Sequence, residues 1–235
     1  MPYYFYGFDW TYLYIVLPCL LIAMIASARV NSTFKRYSQQ ISARHITGSD
    51  AAERVLRANG VHNVRIERVS GHLSDHYDPR TNVIRLSDSV YNSASTAAIG
   101  VACHEAGHAV QYAQGYFPIK LRAAIIPITN IGSRLALPLI LLGVLFGMSY
   151  NLIYIGIGCF ALSLVFQLIT LPVEFNASHR AMQAIESAGI LSEEEQKGAR
   201  KTLTAAAMTY VAAVAVAAAQ LLRLLLLFGG RRRND

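Results

Sequence analysis

A chain of 235 residues that is 54% hydrophobic and only 15% charged is too apolar for an ordinary soluble domain. Its net charge of +7 suits an anionic partner; no basic helix or aromatic-interleaved motif accompanies that charge, which argues against nucleic acid and for anionic lipid. Three cysteines, two of them in apolar runs, offer no disulfide framework and read as small buried apolar residues.

The first apolar run, Trp10 to Ala28, is long enough to cross a bilayer. The residues at its head, MPYYFYGFDW, lack the basic start of a cleaved signal peptide and carry aromatic rings suited to a membrane interface. The run therefore reads as a retained anchor. Asn31 to Arg44 is polar and basic, a juxtamembrane linker or surface helix. Thr47 to Gly60 combines a cap residue, apolar Ala52, Val55 and Leu56 at helical spacing, and a terminal glycine, which predicts a short helix. Val64 to Val69 and Asn82 to Ser87 read as strands, with Asp75 to Arg80 between them as a turn. In this order of elements, Val83 to Ser87 is the expected edge strand, where an extended peptide could pair.

The chemistry gathers in Ala102 to Gln111, ACHEAGHAVQ, inside an alanine-rich stretch with Ser95 as N-cap and Gly115 beyond its end. On a helix, His104 and His108 stand one turn apart on a single face, so both imidazoles can bind one Zn²⁺. Glu105, about 100° round the helix, can reach a water on that ion and act as general base. This is the HExxH arrangement. The helix is not expected to lie in lipid, because two His, a Glu and two Gln within and beside it are costly there.

Catalytic zinc takes three protein ligands and keeps one position for water. The extended HExxHxxGxxH pattern is absent, which leaves His45, His62, His72, His76, His179 and the carboxylates as candidates. Glu174 fits best. It follows Leu135 to Leu171, about 37 residues without a charge, which is too long for one span and is broken near Gly147 to Asn151, so it reads as a transmembrane hairpin. Two spans return the chain to the side it left, and a carboxylate just past hydrocarbon needs a partner or an ion. Phe117 to Arg122 reads as an interfacial step toward the hairpin. Ser192 and Glu195 form a capping box for the last helix, and Leu203 to Phe228, interrupted by Arg223, is long enough for a fourth span. The basic excess lies mainly in Arg29 to Arg122, which places that stretch in the cytosol and the N-terminus outside. With four spans, Arg231, Arg232 and Arg233 fall on the outer side, against that tendency. For the oxyanion donor, His179, Tyr210, His76 and Tyr77 are all open.

These residues resemble the neutral zinc metallopeptidases, the YugP-like membrane proteases of bacteria. The resemblance runs through His76 to Pro79, Ile84 to Ser87, Ala102 to Gln111 and Leu171 to Ser178. It implies a membrane-bound zinc peptidase with His104 and His108 as ligands and Glu105 as catalytic acid and base. The site is also similar to that of the HtpX and prenyl-protease gluzincins, in which a Glu ligand is followed four residues later by Asp; here that position is Ser178.

The expectation is a mainly α, multi-span membrane protein with a small α+β zincin-like region. Its parts are a 1–28 anchor, a 29–122 catalytic region, a 123–171 hairpin, a 172–202 third-ligand segment and a 203–235 membrane helix with basic tail. The expected function is zinc-dependent hydrolysis of a protein or peptide substrate at a cell membrane, on the cytoplasmic side. A membrane-anchored zinc-binding scaffold is the alternative, and a transporter-like bundle is disfavoured by spans almost free of polar side chains.

Overall fold

The computed structural model describes residues 4–5 and 8–229. Part of the expected N-terminal aromatic belt and the whole of Arg231 to Arg233 lie outside the described residues. A short pairing of β1 (Tyr4–Phe5) with β2 (Phe8–Asp9) and a π-helical turn (Tyr12–Val16) lead into α1 (Leu17–Tyr37). Then follow α2 (Gly48–Ala58), β3 (Arg65–Val69), β4 (His76–Asp78), β5 (Val83–Ser87), α3 (Thr96–Ala113), α4 (Phe117–Leu145), α5 (Tyr150–Ser187) and α6 (Glu193–Phe228). The protein is mainly helical with a small sheet, as expected, and that sheet has three strands where the sequence suggested two.

Four helical stretches are long and apolar enough to span a membrane: Tyr12–Tyr37, α4, α5 and α6. In their most apolar windows only 11% to 22% of residues are buried, so leucines and isoleucines face outward all round the helices. Such helices need hydrocarbon around them. Phe117 to Arg122, the expected interfacial step, forms the first turns of α4, and the last apolar run is the distal part of α6.

The chain divides into two compact units. The first comprises Met1–Ala26, Leu121–Leu171 and Thr209–Asp235. Its core centres on Ile140, Ile153, Ile157 and Leu224. α4 and α5 approach closely at Gly156, where an added Cβ would lie 2.8 Å from the Ala136 carbonyl oxygen. The hairpin turn uses Gly147 and Met148, both at positive φ. Arg223, read from the sequence as an interruption, is paired: its Nε donates to Asp9 Oδ2 at 2.7 Å, its Nη2 donates to the same oxygen, and its guanidinium lies over the Tyr12 ring. Asp9 also accepts from the Thr11 hydroxyl at 2.5 Å and the Tyr12 N–H at 3.1 Å.

The second unit comprises Ser27–Lys120 and Pro172–Met208. Its core is built by Ala51, Val55, Ile84, Leu86, Ile99 and Ile185, among others. Thr47 and Asp50 form a reciprocal capping box on α2. Ser192 and Glu195 do the same on α6, and the other Glu195 oxygen accepts the Ala43 N–H at 2.7 Å, tying the start of α6 to a loop far back in sequence.

The sheet corrects one expectation. Its order is β3-β5-β4, with β3 parallel and β4 antiparallel to β5. Val83–Ser87 is therefore the central strand, with Val83, Ile84, Leu86 and Ser87 buried, and not an edge. One edge is β4, in the stretch read as a turn. His76–Asp78 has poor strand propensity, and the pairing with β5 supplies what the local sequence does not. The turn itself follows immediately: Asp78 accepts from the Arg80 N–H and the Thr81 hydroxyl, and Asn82 takes positive φ.

Candidate metal centre

The site is assembled by α3 and the distal part of α5. Ser95 caps α3 by accepting the Ala98 N–H at 3.2 Å. Glycines then let neighbouring helices close in. A Cβ on Gly107 would lie 2.8 Å from the Ala177 carbonyl oxygen, and one on Gly100 would lie 3.2 Å from both Cα and Cβ of Ala199. The glycine between Glu105 and His108 thus sets the distance of the α5 turn that carries Glu174.

That turn brings the three sequence-predicted donors together. His104 Nε2 lies 3.3 Å and His108 Nε2 3.6 Å from the same Glu174 oxygen, Oε2. The two rings stand edge to face with centroids 4.7 Å apart. His108 is 8% and Glu174 3% exposed. Among the described residues these three form the cluster of His, Cys, Asp or Glu donors able to hold a metal ion, with one donor atom from each within 4.8 Å of the others.

The donor set fits zinc. Ligand atoms about 2.0 to 2.1 Å from a tetrahedral ion lie about 3.3 Å from one another, close to the separations observed. Both ring Nδ1 atoms are occupied elsewhere, which leaves the Nε2 atoms to face Glu174. His104 Nδ1 is 3.1 Å from the Ser178 hydroxyl. His108 Nδ1 is 3.0 Å from Gln111 Oε1, and Gln111 Nε2 donates to the Val173 carbonyl and to Asn176 Oδ1, each at 2.9 Å.

Electrostatics are consistent with a site for a cation. Burial pushes the His108 pKa down, but the hydrogen bond to Glu174, the charges of Glu105 and Glu174 and the bond to Gln111 outweigh it, and the net shift is upward. Asp75 lies beside the sheet, where its carboxylate accepts the Ser87 N–H at 2.7 Å and hydroxyl at 3.0 Å. Burial raises its pKa, the two Ser87 bonds offset this in part, and the like charge of Glu105 adds to the rise. Glu105 itself is buried on α3.

The other histidines take no part. His76 is exposed with Nδ1 at 2.9 Å from the Ser74 carbonyl, His179 is exposed, and His72 packs edge-on against Phe34. Of the oxyanion candidates, Tyr77 donates its hydroxyl to Asn82 at 2.6 Å, and Tyr210 belongs to the first unit. Cys103 is fully buried and its thiol is pushed far up by burial, as befits an apolar core residue.

Sequence reading passed over Gln111, Asn176 and Arg180. The signals were local: Gln111 stands three residues after His108 and Arg180 four after Asn176, spacings that place each pair on one helix face.

Comparison with known proteins agrees with this chemistry. Residues 12–229 match the family described as "Putative neutral zinc metallopeptidase". The chain is 45% identical over 193 residues to "Putative membrane protease YugP" of Bacillus subtilis (strain 168), covering 82% of this chain and 85% of that protein. No solved structure matches.

Proposed function

The chain belongs to the neutral zinc metallopeptidase family, and we propose that it is a multi-pass membrane endopeptidase of the HExxH type with glutamate as third ligand. The observation that carries this reading is the convergence of both Nε2 atoms on one Glu174 oxygen, with both Nδ1 atoms engaged elsewhere. His104, His108 and Glu174 would hold the ion. Zinc, when bound, supplies a Lewis acid that acidifies a water and polarises a peptide carbonyl.

Glu105 is the base. Its carboxylate takes a proton from the attacking water and returns it to the amine nitrogen as the C–N bond breaks. The exposed edge of β4, a strand that contacts α3, suits an extended peptide pairing by strand addition. The basic stretch Arg29 to Arg122 favours the cytosolic side and anionic headgroups.

Purified protein in lipid nanodiscs should contain zinc and cleave unfolded casein. Glu105→Gln should keep the metal and lose turnover. Persistent turnover in that variant overturns the mechanism, whereas zinc without hydrolysis in the native protein identifies a scaffold instead.

A further inference from the structure

The two imidazoles differ in what holds their far nitrogens, and the difference can be followed outward from His108. Arg180 is the end of the line. A guanidinium only donates hydrogen bonds, never accepts them. Its Nε meets Asn176 at 2.7 Å and its Nη1 donates to Gln114 Oε1 at 2.6 Å, while the group lies 5.9 Å from the centroid of the Tyr116 ring. Asn176 must therefore turn its oxygen, Oδ1, toward Arg180. The same oxygen faces Gln111, which must answer with its amide Nε2, and the Val173 carbonyl beside it makes the same demand.

With Nε2 so committed, Gln111 can offer His108 only its oxygen. An oxygen requires a proton on His108 Nδ1, so in the neutral ring the lone pair lies on Nε2, the nitrogen aimed at Glu174. Gln111 is thus oriented from two sides, by the Asn176 oxygen and by the Val173 carbonyl, and Gln111 and Val173 are fully buried, so water has no part at that step. His104 has no such constraint, because the Ser178 hydroxyl can donate or accept.

We propose that Arg180, Asn176 and Gln111 are positioning residues that fix the tautomer of His108 and thereby strengthen metal binding. This rests on the assignment of His108 as a ligand. The permanent charge of Arg180 acts here by direction: it orders two side-chain amides, and their order selects the nitrogen that stays unprotonated. Asn176→Asp keeps both acceptor roles, whereas Asn176→Leu removes them at similar volume. Arg180→Met removes the donor at the half-buried end of the line and leaves the core untouched.

The test uses the full chain in nanodiscs with two readouts. One is zinc affinity by competition with a chromophoric chelator. The other is the ¹⁵N spectrum of histidine-labelled, zinc-free protein, recorded at a pH high enough that the rings are neutral, which reports the tautomer of each ring. Gln111→Leu and Asn176→Leu should weaken zinc about 10- to 100-fold, the usual effect of losing a partner behind a ligand, and Asn176→Asp should stay within about threefold. In Asn176→Leu and Arg180→Met, His108 should show a mixture of tautomers while His104 is unchanged. Equal affinity in Asn176→Asp and Asn176→Leu, or an unaltered His108 tautomer in both Asn176→Leu and Arg180→Met, overturns the proposal. If His108→Ala binds zinc as tightly as the native chain, it is the ligand assignment that fails.

Discussion

Each unit of the molecule shelters a carboxylate, and the two are neutralised in different ways. In the first unit Asp9 is matched by the fixed positive charge of Arg223, with Thr11 and Tyr12 supplying further donors. In the second, Glu174 faces the Nε2 atoms of two imidazoles, which carry no fixed charge. The first arrangement is complete within the protein and is structural. The second is a set of three donors that a divalent ion would satisfy, in a chain of a zinc peptidase family. Both acids are at least partly withdrawn from solvent, so the identity of their neighbours is what separates a fastener from a site.

Substitutions can break this contrast. Glu105→Gln should have the largest effect on turnover, about 10²- to 10⁴-fold, the usual worth of a general base; metal analysis should show zinc retained. Glu174→Ala should lower zinc affinity by more than about 100-fold, since a ligand is worth more than the 10- to 100-fold typical of its outer partners. Asp9→Ala should leave zinc binding unchanged and instead destabilise the first unit by about 1 to 3 kcal/mol in a denaturation titration, the cost of an unpaired buried charge reduced for partial exposure. Replacing Arg223 by Leu in the same chain should recover much of that loss. If Asp9→Ala lowers zinc affinity as much as Glu174→Ala does, the distinction between the two carboxylates collapses.

A third carboxylate marks the lower limit. Asp78 is held down to about 2 by the Thr81 hydroxyl, the Arg80 N–H and Arg85, at a half-buried position on the surface. Its folded pKa is below the ordinary value of 3.8, so its contribution is full above that value and is lost as pH falls through about 2. Acid titration of Asp78→Asn should lack this component, a small change in the slope of stability below pH 4.

Much of this was legible in the sequence. The HExxH helix, the hairpin with its turn at Gly147 and the return of the chain at Glu174 all follow from local periodicity, apolar length and the cost of an acid beside hydrocarbon. What escaped was non-local. Arg223 looked like a blemish because its partner lies at the other end of the chain, and β4 looked like a turn because its pairing, not its composition, makes it a strand. Gln111 reads in the sequence only as a polar residue on the HExxH helix, since its partners Val173 and Asn176 come from a different helix.

The interrupted composition of the second unit bears on how the protein is made. Of this unit, residues 27–120 are synthesised first, and Glu174 follows only after the stretch 121–171 has been translated. A nascent chain that stops short of Glu174 carries both histidines and Glu105 without the third donor. On the proposed reading, a product that ends before Glu174 would hold two of the three donors and should neither retain zinc tightly nor hydrolyse peptides.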